Sequence, residues 1–250
     1  MTIYKYDGTI NGIFSCIFKS FMSDKTPLYV SSDCVQTSFC DDVVNVRTDE
    51  QKSNSVVKAF IRYAGKGALH DLYYAFRSGD KNKDTIIFNY VRKTLECRAD
   101  ISQDFACPAS LDFYELINRI GNEIHRMKGF LRFSMTDNDV LYAHFTPDND
   151  ITDLLLPHFI ARLGKESFAI HDTKRNVVAM YNGVERKVVK LTVPLCVTLA
   201  DGEENFTALW QTYYDSVTIK ERINERAMRG YMPARYHEFI SEKNRKTLII

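Results

Sequence analysis

Along the first half of the chain, apolar residues recur three and four positions apart. Ile13, Phe14, Ile17, Phe18 and Phe21 form one such set, and Val56, Val57, Phe60, Ile61 and Ala64 form another. Leu69, Leu72, Tyr73 and Phe76 follow, then Ile87, Tyr90, Val91 and Leu95, and finally Leu111, Tyr114, Ile117, Ile124 and Met127. This spacing puts each set on one face of a helix, the face that must be buried. The punctuation agrees. Pro27 ends the first helix, Thr48 with Gln51 three residues later reads as a capping box, and Cys107-Pro108 breaks the chain before the last helix. Gly65-Lys66-Gly67 reads as a helix–helix turn; it lacks the spacing and the Ser/Thr after a GK pair that a phosphate loop needs. Short strands are expected at 3–6 and 43–46, with polar loop up to Asp42.

The pattern changes after Gly129. A strand is expected to begin at once, with Arg132 among apolar neighbours, and to turn at Asp137-Asn138-Asp139 into a second strand over 140–145. An apolar helical segment then carries His158 and Arg162. Two further strands flank the polar run His171-Asp172-Thr173-Lys174-Arg175, and another is expected over 188–193. After the turn at Asp201-Gly202, the residues Phe206, Leu209, Trp210, Tyr213, Tyr214 and Val217 keep helical spacing. An aromatic stripe of that kind can stack on bases, but helical spacing favours core. The pattern therefore predicts an α+β protein. A helical N-terminal half, 1–120, packs with an antiparallel sheet of about four or five strands in 121–250, closed by C-terminal helices, in a single unit over 1–250.

Composition narrows the function classes. The 250 residues are 45% hydrophobic and 26% charged, ordinary for a globular protein large enough to bury a core. No apolar run is long enough to span a membrane, and the opening MTIYKYDG is not a secretory signal, so a cytoplasmic location and no membrane partner are expected. The six cysteines are scattered, with no CxxC or CxxxCxxC run, so no metal or cofactor is expected and most are read as small buried side chains. Cys34 and Cys40 are close enough to meet across a loop. A formal charge of +1 argues against a non-specific polyanion binder, yet Arg119, Arg126, Lys128 and Arg132 face only Glu123 within residues 119–133, and the C-terminal tail is also basic.

Several polar residues invite chemistry. His158 lies on the edge of an apolar stripe and suits either a general base or a hydrogen-bonded core histidine. Asp172 and Arg175 flank a tight turn, as a simple ion pair or as part of a site. Arg132, between Leu131 and Phe133, needs a partner if buried, with Asp172 or an external phosphate as the alternatives. In the C-terminal run, Lys220, Arg222, Arg226, Arg229 and Arg235 alternate with Tyr231 and Tyr236, so that arginines grip phosphates while a tyrosine stacks. The alternative there is a solvated helix, with Glu225 and Arg229 as a favourable i,i+4 pair.

Three blocks, YDGTINGIFSCIF at 6–18, HRMKGFLRF through HDTKR at 125–175 and FTALWQTYYDSVTIKERINERAMRGYMPARYHEFISE at 206–242, carry a resemblance. They resemble a bacterial family of uncharacterised proteins labelled as DNA-metabolism or DNA-repair proteins, encoded beside a radical-SAM protein and also found fused to uracil-DNA glycosylase-like domains. The motif residues that the resemblance carries over are Arg126, Gly129, Arg132, His158, Phe159, Arg162, Asp172 and Arg175, then Trp210, Lys220, Arg222, Pro233, Arg235 and Tyr236. His171 stands where the family pattern has an aromatic residue, and His144 stands at a variable position, which makes both poor catalytic candidates. The resemblance implies a DNA repair or modification factor that binds DNA through Arg126, Arg132, Arg162, Arg175, Lys220, Arg222, Arg235 and Tyr236. It also implies a radical-SAM partner, whose cluster this chain, lacking CxxxCxxC, cannot hold. Two alternatives remain open: a hydrolytic or lyase-type enzyme on damaged nucleotides with His158 and Asp172 as acid–base groups, and a protein-interaction scaffold.

Overall fold

A computed structural model describes residues 2–23, 26–32, 42–193 and 195–241. The chain divides into two compact units, 1–121 and 122–250. Cys34, Cys40, most of the stretch read as polar loop before Asp42, and the end of the C-terminal tail lie outside the described residues.

The first unit is a three-stranded parallel sheet with helices. Strand β1 (Thr2–Lys5) lies between β2 (Tyr29–Ser31) and β3 (Asp42–Asn45). The residues of β2 were expected to be loop; parallel pairing to β1 supplies the backbone partners that local sequence could not announce. Helix α1 (Ile10–Phe21) is capped by Thr9, whose hydroxyl accepts from the Gly12 amide. Its stripe of Ile13, Phe14 and Ile17 is fully buried, each side chain contributing about 1.5–3 kcal/mol of burial. Helix α2 (Glu50–Phe76) is two helical stretches that break at Gly65, where a helix–helix turn was expected: its φ of 85° and ψ of 170° lie outside the helical region and kink the chain. Its cap is Asp49, not Thr48: Asp49 accepts from the Lys52 amide, while the Thr48 hydroxyl donates to Asp7 at 2.6 Å. Helix α3 (Lys83–Cys97) follows. Helix α4 (Pro108–Phe130) starts directly at the expected break, with Pro108 its first residue, and runs past Gly121 into the second unit.

The second unit is built on a mixed five-stranded sheet in the order β4-β5-β6-β7-β8. These are Ser134–Met135, Leu141–Phe145, Phe168–Asp172, Val177–Tyr181 and Arg186–Lys190. The sheet is not wholly antiparallel. β5 and β6 pair in parallel, because helix α5 (Thr152–Leu163) returns the chain to the same end before β6 begins. One sheet face carries Phe145, Phe168 and Ile170, all buried, with α5 against it. Gly183, after β7, has a φ of +88°, and a Cβ there would stand 2.7 Å from the Lys165 carbonyl oxygen, so only glycine fits. Helix α6 (Glu203–Val217), a 3₁₀ turn (Lys220–Arg222), helix α7 (Glu225–Tyr231) and a 3₁₀ helix (Ala234–Phe239) complete the unit. The α+β class stands. The α6 stripe is not core: Phe206 is 68% exposed, Tyr213 56% and Trp210 42%.

Candidate functional site: an aromatic cleft and a basic C-terminal segment

Strand alternation sets the chemistry of the other sheet face. Tyr142 and His144 of β5 share that face with Ala169 and His171 of β6, and His144 is the register partner of His171. Tyr142 Oη and His171 Nδ1 share a 2.7 Å hydrogen bond, and His171 Nε2 is buried without a hydrogen-bond partner among the described residues. The His144 ring stacks near Tyr142 at 6.0 Å and meets the edge of Phe239 at 5.4 Å. Burial pushes the Tyr142 phenol up to about 12. Burial also lowers both histidines, and the neighbouring His144 charge lowers His171 further. All three groups are therefore neutral near pH 7.

Beside this face opens a cleft of about 830 Å³. Tyr142, His144, Phe206, Trp210 and Phe239 give it aromatic walls, Arg132 and Arg162 give it cations, and Glu203, Glu204 and Glu238 give it carboxylates. Arg132 lies between α4 and β4 rather than on a strand, half-buried; its Nη1 donates to the Gly129 carbonyl at 2.6 Å, and the guanidinium sits 5.8 Å from the centre of the Trp210 ring. Arg162 is exposed in the last turn of α5. The cleft brings together two of the sequence-predicted residues. Sequence reasoning set His144 and His171 aside and did not single out Tyr142; only the register shows that they share a face.

Four other predicted residues belong to an internal clasp. Asp172 is fully buried, paired with Arg175 at 2.9 Å and accepting from the Lys174 and Arg175 amides. It is not the partner of Arg132. Arg175 also donates to the carbonyl of Pro147 at 3.1 Å and to that of Asp148. From the other side, buried Glu123 accepts from the amides of Asp148 and Asn149, from the Asn149 side chain, and from the Tyr236 hydroxyl at 2.8 Å. Arg235 donates to that hydroxyl at 2.8 Å and pairs with Asp148 at 2.7 Å. Burial, and then the bond to Glu123, raise the Tyr236 phenol. The turn at 146–150 is thus held by two buried carboxylates with their hydrogen bonds satisfied.

The remaining candidates are spread apart. His158 is half-buried on α5, its ring edge-on to Phe159 at 4.9 Å and its pKa lowered by burial, then by the charges of Lys128 and Arg162. No described contact joins it to Asp172, and neither lines the cleft. Arg126 reaches the Gly230 carbonyl at 3.5 Å. Lys220 and Arg222 are exposed on their 3₁₀ turn. Exposed Glu225 and Arg229 form the expected pair at 3.3 Å. Arg226 and Tyr231 line one shallow depression, with Tyr231 80% exposed. Of the described cysteines Cys16 is buried, but Cys97 and Cys196 are exposed, against expectation. Among the described residues no group of three or more His, Cys, Asp or Glu is placed to hold a metal ion, and no helix is long and apolar enough to cross a membrane.

A two-unit α+β protein with an aromatic, mixed-charge cleft and a basic, aromatic C-terminal segment is the class these features define. The chain belongs to the family DUF4130, a domain of unknown function, whose match covers residues 81–242, from just before α3 to the end of the basic segment. No curated protein matches the chain.

Proposed function

We propose that the chain is a nucleic-acid-binding factor of DNA repair or modification that prefers single strands and works with a radical-SAM partner protein. The observation that carries this reading is the exposure of large aromatic side chains in a segment that also exposes a run of cations. Phe206, Trp210, Tyr213 and Tyr231 face solvent within the segment that also exposes Lys220, Arg222, Arg226 and Arg229. Aromatic faces at helical spacing are normally buried, so leaving them in water in a segment that also exposes four cations, one of them paired with Glu225, suits a ligand with both flat faces and negative charge. An unstacked strand offers both; in a duplex the base faces are hidden. The repair role and the radical-SAM partner rest on the resemblance of the three sequence blocks. A protein-only docking role would use the aromatics and leave the cations idle.

The test is fluorescence anisotropy with single-stranded, duplex and uracil-containing DNA at two salt concentrations. Salt-sensitive binding with single strands tighter than duplex is expected. Absence of binding at low salt would overturn the reading. Co-purification with the radical-SAM protein tests the partner.

A further inference from the structure

We propose that the cleft beside β5 binds one phosphorylated nucleoside, its base lying against Trp210 and its phosphate held by Arg132 and Arg162. The inference deepens the nucleic-acid reading and rests on it for the source of the nucleotide, an unstacked unit of a single strand. Three features define the ligand class. A cleft of about 830 Å³ accepts a nucleotide-sized molecule. Its walls are aromatic on several sides, and Trp210, already met by the Arg132 guanidinium at 5.8 Å, offers a broad face for stacking. The polar groups are of both signs. Two arginines suit a phosphate, which forks between guanidinium N–H groups, while Glu203, Glu204 and Glu238 repel it and accept N–H groups from a base edge. A purely apolar ligand would desolvate five charged side chains, and an extended polyanion would meet three carboxylates. A single base with one phosphate uses both sets.

Trp210 is the only tryptophan of the chain, so a base stacked on it reports through its own emission. The full chain is titrated with dAMP and with deoxyadenosine, following tryptophan fluorescence, and in parallel with a labelled single-stranded oligonucleotide, following anisotropy. Saturable quenching by dAMP is expected, with deoxyadenosine binding about ten-fold more weakly. In Arg162→Gln, whose parent side chain is exposed and whose fold is checked by its melting temperature, dAMP should weaken toward deoxyadenosine while deoxyadenosine is unchanged. In Arg222→Ala, oligonucleotide binding should weaken and dAMP quenching should not. An anisotropy rise with no saturable quenching by either dAMP or the oligonucleotide would overturn the cleft proposal and leave the nucleic-acid reading standing. Saturable dAMP quenching with no anisotropy rise would overturn the strand reading and leave the cleft as a site for a free nucleotide. Equal loss of dAMP and deoxyadenosine in Arg162→Gln would overturn the phosphate role of that arginine.

Discussion

Arg175 and Arg222 are both arginines of a basic, motif-bearing sequence, yet their environments assign them opposite consequences on substitution. Arg175→Ala leaves the fully buried Asp172 carboxylate without its counter-ion, so a loss of about 3 kcal/mol or more in denaturant-unfolding stability is expected. Arg222→Ala touches an exposed side chain and should change stability by less than about 0.5 kcal/mol. Tyr236→Phe removes the hydroxyl that donates to Glu123 and accepts from Arg235, and should cost about 1–2 kcal/mol in the same measurement. The histidine pair gives a pH signature. Folding lowers both His144 and His171 below their ordinary 6.5, so the unfolded chain binds more protons in the window beneath that value. Stability is therefore full above pH 6.5 and falls as the pH drops toward the folded values; the melting temperature should decline from pH 7.5 to 5.5, and less steeply in His171→Phe. At this scale the sequence singled out Asp172, Arg175 and Arg132 without fixing their partners, and it passed over Tyr142, His144 and His171. Asp172 was legible as one end of an ion pair with Arg175, and equally as a partner for Arg132, because sequence distance does not reveal which guanidinium reaches a buried carboxylate.

Among the elements, the helices were legible and their surroundings were not. The periodicity that located α6 is the same whether its apolar side meets a core or water, since amphipathic spacing shows that one face differs from the other and nothing about what covers it. Exposure decides the matter here, and it carries a prediction: Tyr213→Ala should destabilise by less than about 1 kcal/mol, well short of the 3–5 kcal/mol typical of a buried aromatic, as read by chemical denaturation. The parallel β5/β6 pair was invisible for a related reason. Side-chain alternation is the same in either strand direction, and only the path of α5 sets it. The Tyr142–His171 contact, and with it one wall of the candidate site, follows from that register.

For the whole molecule, the boundary between the two compact units falls inside α4, which is why no Gly-, Pro- or Ser-rich linker marks it in the sequence. Net charge was a poor guide as well, because +1 averages a basic C-terminal segment with an otherwise balanced chain. If Lys220, Arg222, Arg226 and Arg229 each neutralise one phosphate of a single strand, log K against log salt should have a slope of about −3, and Arg222→Ala should flatten it by about 0.7. Arg235→Ala, which breaks an internal pair, should leave the slope unchanged.

The hydrogen bond from Tyr236 to Glu123 joins positions 113 residues apart. On a ribosome adding about 5–20 residues per second, Glu123 emerges several seconds to some tens of seconds before the tyrosine that completes its shell. During that interval the carboxylate belongs to a nascent chain that cannot yet finish the 122–250 unit, whereas every strand pairing among the described residues of the 1–121 unit is already synthesised. The first unit is free to mature during translation, and the second must wait for Tyr236.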